Sequence, residues 1–216
     1  MQLMLDLGRR IQLQSMDSHC GDITIGLYEH LDEAGKPRFQ LHSYGANPAT
    51  AARLKFLAEA MVKLGGMEAV PGGEPRVRWP CGHRHVSAAK RVFVEVCKLS
   101  KPEQLVVRPL KLDDPKLPGF VTVVGDGTGR YTIASESGTG DQARLKAICA
   151  GYLKLAEMDR WDETETGVRF GCGQQHDALM GLLLYRALNA RAALRETEMM
   201  ASRGVLVAPS AQAQST

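Results

Sequence analysis

Val77-Arg78-Trp79-Pro80-Cys81-Gly82-His83-Arg84-His85 returns 91 positions later as Val168-Arg169-Phe170-Gly171-Cys172-Gly173-Gln174-Gln175-His176. Both copies carry Val-Arg-aromatic, then Cys-Gly, then a histidine four residues after the cysteine. Both run into a stretch with helical apolar spacing. The register extends upstream without a gap to about Ala52. Arg53-Leu54-Lys55 falls on Arg144-Leu145-Lys146, Lys63-Leu64 on Lys154-Leu155, and Met67 on Met158. One loop deletion further back places Arg38-Phe39 on Arg130-Tyr131. Self-similarity at a fixed period marks one structural unit used twice.

Around this repeat the chain reads as ordinary folded material. It has 216 residues, 44% hydrophobic and 24% charged, which is enough for a sizeable core. The net charge of +3 is spread along the chain, with no dense basic run and no interleaving of aromatic and basic residues, so nucleic acid is not an expected partner. No apolar run approaches the roughly 20 residues of a membrane span. The start, Met1-Gln2-Leu3-Met4-Leu5-Asp6, is charged too early for a signal peptide. Five cysteines in no regular framework point to a reducing compartment, and the expected location is cytoplasmic.

The periodicity predicts the same order of elements twice. In the first unit, residues 1–100, strands are expected near Arg10–Leu13, Asp22–Glu29 and Arg38–Ser43, with a turn at Asp32–Lys36. A helix follows, with Asn47 as its cap, Pro48 in its first turn and Leu54, Leu57, Ala58, Met61 and Leu64 on its apolar face. Gly65-Gly66 ends it. After a Pro/Gly-rich loop, a second helix is expected from Cys81 to about Leu99. In the second unit, residues 101–204, strands are expected at Gln104–Arg108, Gly119–Val124 and Arg130–Ser135. Helices follow from Asp141 to Met158 and from Cys172 to about Met200, and residues 205–216 form a flexible tail. The predicted architecture is α+β: two tandem β-β-β-α-α units, pseudo-twofold symmetric, with helices covering antiparallel sheet.

With these elements in place, the first unit resembles a known family. Cys20-Gly21-Asp22 precedes a strand hairpin, Tyr44-Gly45-Ala46-Asn47 opens a helix, and a Cys/His motif opens the last helix. This order is similar to that of the IscU/NifU-type iron–sulfur cluster scaffolds, whose fold the SufE-type sulfur acceptors share. In those scaffolds a C-G-D motif, a G-C-G-like motif and a late histidine–cysteine motif supply the cluster ligands. Cys20 and Asp22 stand at the C-G-D positions and His85 at the late histidine. Ala46 stands where the second cysteine would be, and Val86 replaces the cysteine after the histidine. In the second unit Pro118-Gly119-Phe120 replaces C-G-D, and His176 is followed by Asp177. Each unit instead adds a cysteine four residues before its histidine. The resemblance implies a three-stranded antiparallel sheet with helices and an iron–sulfur cluster or metal bound by cysteine and histidine. It also implies Asp22 as a weak, exchangeable ligand. The partners it implies are proteins, a sulfur donor or a recipient apoprotein.

On the residues themselves, Cys81 with His85 and Cys172 with His176 form two C-x₃-H pairs, each expected on one helix face. Thiolate plus imidazole suits zinc or iron. Two geometries follow. Each unit completes its own site, with Cys20 and Asp22 joining Cys81 and His85 in the first, or the pseudo-twofold brings both pairs into one Cys₂His₂ site. The same residues fit other uses: a degenerate scaffold kept as an interaction module with a structural zinc, a persulfide-accepting thiol, or a two-cysteine epimerase of the proline racemase type. Arginine three residues upstream and a helix start at each cysteine predict lowered thiol pKa values. Cys97 and Cys149 are expected as small core residues.

Overall fold

The computed structural model describes residues 11–17, 23–32, 34–44, 48–114, 117, 119–136, 142–163 and 165–188. The first half begins with three antiparallel strands, β1 (Ile11–Asp17), β2 (Thr24–Leu31) and β3 (Pro37–Tyr44). Ile25, Leu27, Phe39 and Leu41 are buried on their inner face. The β2–β3 turn is held by Asp32, whose carboxylate accepts from the Ala34 and Lys36 amides and from the Arg38 guanidinium. Side-chain-to-backbone bonds of this kind are why aspartate favours turns.

Helix α1 (Pro48–Gly65) then lays Leu57, Ala60, Met61 and Leu64 into the core. A short hairpin follows, β4 (Glu68–Val70) with β5 (Arg76–Arg78), and β5 docks on β3 before helix α2 (Val86–Cys97). The second half repeats the plan with β6 (Lys111–Asp113), β7 (Phe120–Gly125), β8 (Arg130–Ser135), α3 (Gln142–Ala156), β9 (Asp159–Arg160), β10 (Gly167–Arg169) and α4 (Asp177–Leu188). The two sheets have equivalent orders, β1-β2-β3-β5-β4 and β6-β7-β8-β10-β9. The protein is thus α+β, with two five-stranded antiparallel sheets and four helices among the described residues.

Three expectations need correction. Each unit runs β-β-β-α-β-β-α rather than β-β-β-α-α, because a hairpin of two or three residues per strand separates its helices. Strands that short show no alternation to read. The strand expected at Gln104–Arg108 is absent. Pro102–Gln104 forms a 3₁₀ turn, and Val106 and Val107 are exposed in an unpaired linker. The second unit's first strand is instead the short β6. The late helices start at Val86 and Asp177 rather than at the cysteines. Asn47, Asp141, Met199, Met200 and residues 205–216 lie outside the described residues.

The helices form the seam between the halves. α1 packs on α2 and on α4, and α3 packs on α4 and on α2. Helix α4 carries no charge between Asp177 and Arg186, and Leu179, Met180, Leu182, Leu183 and Leu184 are all buried. A helix apolar on every side belongs inside. Cys97 and Cys149 are buried in α2 and α3, as expected. Across the seam the Arg186 Nε donates to the Glu95 carboxylate at 2.5 Å.

Candidate metal centre

The two motifs meet at this seam. The potential ligand atoms of Cys81, His85, Cys172 and His176 all lie within 4.8 Å of one another. Of the two geometries left open by the sequence, this is the shared one. Cys20 and Asp22 lie outside the described residues.

Each motif is carried by a strand, a tight turn and a short loop rather than by a helix. β5 ends at Arg78, and the Gly82 amide donates to the Trp79 carbonyl at 3.0 Å. β10 ends at Arg169, and the Gly173 amide donates to the Phe170 carbonyl at 3.2 Å. Gly82 and Gly173 sit at φ of 73° and 69°, the left-handed region that a side chain disfavours. The cysteine therefore precedes its helix by five residues, and the C-x₃-H pair converges through the turn. His85 itself adopts a left-handed conformation, with φ 37° and ψ 51°, immediately before α2. A non-glycine residue there is strained, which points to a local demand on its side chain.

Aromatic residues wall the centre with pseudo-twofold symmetry. Trp79 stands 5.9 Å from His85 and 5.5 Å from His176, ring centre to ring centre. Its counterpart Phe170 stands 4.8 Å from His176 and 5.3 Å from His85. The two imidazoles are 5.0 Å apart and nearly perpendicular. Trp79 and Phe170 are almost fully buried and shield His176, which is buried with them. Cys81, Cys172 and His85 are half-buried and form the open side.

Polar contacts orient the ligands. The Gln174 amide donates to Cys172 Sγ at 3.4 Å, and the His83 backbone makes the matching bond to Cys81. Amides aimed at sulfur stabilise a thiolate. Cys172 Sγ lies 3.2 Å from His176 Nε2. The Tyr131 hydroxyl accepts from the His176 amide and donates to the Asp177 carboxylate at 3.0 Å, fixing the start of α4. Its counterpart Phe39 has no hydroxyl, so this brace belongs to the second half alone. The Phe-to-Tyr difference in the repeat was its only sequence signal.

Electrostatics run against the expected reactive thiolate. Burial pushes the Cys81 thiol up to about 11, and the neighbouring Cys172 adds to the effect. Burial also holds both histidines at about 4, with His176 and His83 further disfavouring charge on His85. The imidazoles are therefore neutral at pH 7, with a lone pair free to coordinate. His85 Nε2 is buried without a hydrogen-bond partner. Such an orphaned atom is costly unless something binds it.

The donor set fits a tetrahedral ion. With metal–sulfur and metal–nitrogen bonds of about 2.3 and 2.0 Å, tetrahedral ligand atoms stand about 3.3 to 3.8 Å apart. Atoms already within 4.8 Å of one another reach that arrangement by small side-chain movements. Comparison with protein-family models, with curated proteins and with solved structures finds no match to this chain.

Proposed function

We propose that the protein is a zinc-binding module whose Cys81, His85, Cys172 and His176 hold one ion at the seam between its halves. The convergence of four donor atoms within 4.8 Å, from motifs 91 residues apart, carries this reading. Two sulfurs and two imidazole nitrogens fill a tetrahedron, and a closed set of this kind is structural, since no position remains for a reacting water. The ion would fasten α2 to α4 and make the docking of the halves metal-dependent. This favours an interaction module or accessory subunit over a metalloenzyme, and the reduced thiols suit a cytoplasmic setting. The two-cysteine epimerase gains no support. A carbon between the sulfurs needs about 3.5 Å on each side, more than their separation allows.

A second reading is favoured by the half-exposure of Cys81 and Cys172. Thiolates on the open side leave the ion reachable, as handling of iron or an iron–sulfur cluster would require. A sulfur donor or recipient apoprotein would then be the partner, as the IscU/NifU resemblance implies. The compactness of the donor set favours one ion over a two-iron cluster, whose opposing ligands stand further apart.

Metal and acid-labile sulfide analysis, with a visible spectrum, on protein purified without oxygen tests both. A single zinc per chain in a colourless sample is the expected result. Iron with labile sulfide would replace it with the second reading. A metal-free protein that takes up neither zinc nor iron would overturn both.

A further inference from the structure

A second cavity, away from the four ligands, lies where α2 of the first half approaches the end of α3 in the second. It is an open groove of about 180 Å³, lined by Gln14 of β1, by Ser87, Lys90 and Arg91 of α2 and by Lys154 of α3, with Val94 and Leu155 as apolar walls. That is room for several waters at about 30 Å³ each, and so for a small oxyanion.

Its charges are unbalanced. Three cations converge here, and among the described residues none of them is in an ion pair. The acidic group that acts on Arg91 is Glu95, whose carboxylate is already taken by Arg186 at 2.5 Å and Lys98 at 3.5 Å. Arg91 Nε is buried with no hydrogen-bond partner. Burial is also the main influence lowering the Arg91 pKa. The Arg91 guanidinium lines the groove without a carboxylate partner of its own, so its outer N–H groups can bond an anion held there.

The duplication supplies an internal control. Ser87, Lys90 and Arg91 correspond to Ala178, Gly181 and Leu182 in α4. At that equivalent place the Arg108 carbonyl of the linker packs so closely on Gly181 that a Cβ would overlap it. The α2 part of the lining, Ser87, Lys90 and Arg91, is therefore no inheritance of the repeat, whereas Lys154 matches Lys63 of α1; the full set occurs only where the groove stays open.

We propose that this groove binds a phosphate group, free or as a phosphomonoester, through Arg91, Lys90, Lys154 and the Ser87 hydroxyl. Donors from two helices surround the site, which suits a tetrahedral anion with three or more acceptor oxygens better than a planar carboxylate. Occupancy does not require the metal, and the anion would bridge the halves at a second point.

Titration of the full chain with inorganic phosphate, followed by calorimetry at ionic strength held constant with sodium chloride, tests the site. Saturable one-to-one binding is expected, weakened about tenfold by Lys90→Gln and by Lys154→Gln, each of which removes one charge-assisted bond. Arg91→Gln should weaken it further, but the two lysine variants carry the test because their side chains bear less on folding. Their metal content should equal that of the parent. Glycerol 3-phosphate, run in parallel, separates the sources. Tighter binding of the ester identifies an organic phosphate, and equal or weaker binding identifies the free ion. Phosphate binding no stronger than that of chloride, or unchanged in the Lys90→Gln/Lys154→Gln double variant, would overturn the proposal.

Discussion

Glu95 and Arg186 occupy the same position in the two halves, 91 residues apart, and they bond to each other across the seam. Cys81 with Cys172 and His85 with His176 likewise place equivalent residues face to face. A local twofold axis therefore runs through the metal centre and between α2 and α4. A strict homodimer of either unit would set Glu against Glu or Arg against Arg at this point. Fusion into one chain has allowed the two copies to become complementary.

Arg186→Glu restores the symmetric, repulsive arrangement. Both side chains are largely buried, so the loss should be about 3 kcal/mol, the scale for an uncompensated buried charge. The exchanged pair, Glu95→Arg with Arg186→Glu, should recover most of it. Urea midpoints of the parent, the single variant and the exchanged pair check this, and failure of the exchange to rescue would mean that the surroundings, rather than the pair, fix the charges.

Cys81→Ser and Cys172→Ser should each abolish tight zinc binding, since each removes one of the two thiolates and a neutral hydroxyl is a poor substitute. In the parent, excess chelator should lower the unfolding temperature. Binding at a thousandfold over the dissociation constant corresponds to about 4 kcal/mol of stability. The serine variants should show no chelator effect. A chelator-sensitive Cys172→Ser protein would place the ion elsewhere.

The metal-free protein should lose stability on mild acidification. His85 and His176 titrate near 4 in the fold against an ordinary value of 6.5. Between these values the unfolded chain takes up protons that the folded chain does not, so stability present above pH 6.5 falls as the pH drops toward 4. Replacing both histidines by asparagine should flatten the profile. Zinc should steepen it, because protons then compete directly for the ligand nitrogens.

Glu29 is 2% exposed and is held by Arg84, with bonds of 2.7 and 2.5 Å. Opposite Tyr131, the counterpart of Phe39, the second half has Gly125, and Gln175 replaces the arginine. The Gln175 amide fills the space a side chain at 125 would need. Arg84→Ala should therefore cost about 1 kcal/mol, the pair being screened because the Arg84 side chain is 60% exposed and its removal lets water reach the carboxylate, and adding Glu29→Gln should return part of it. Thermal unfolding of the single and double variants decides the matter.

Four of the six candidate ligands, Cys81, His85, Cys172 and His176, were legible because duplication made them visible twice. The chain concealed their local geometry. Cys81 and His85 looked like neighbours on a helix face, and only the left-handed turns at Gly82 and at His85 itself place them on a loop. β4, β5, β9 and β10 are too short to show a period of two. Val106 and Val107 have strand-forming side chains and found no partner strand, because pairing depends on neighbours the local sequence does not encode. The Tyr131 brace showed only as the difference between Phe39 and Tyr131, since one of its two partners, the His176 amide, is a backbone group.

The unpaired linker between the halves has a kinetic consequence. Each half owns one sulfur and one imidazole, so ion capture needs both. Two separate subunits that released their ion would drift apart and have to find each other by diffusion. Here the short segment from Leu99 to Leu110 keeps the second Cys–His pair at an effective concentration on the order of millimolar. Under the proposed zinc reading, a chain stripped of its ion rebuilds the site by itself, at a rate independent of how dilute the protein is.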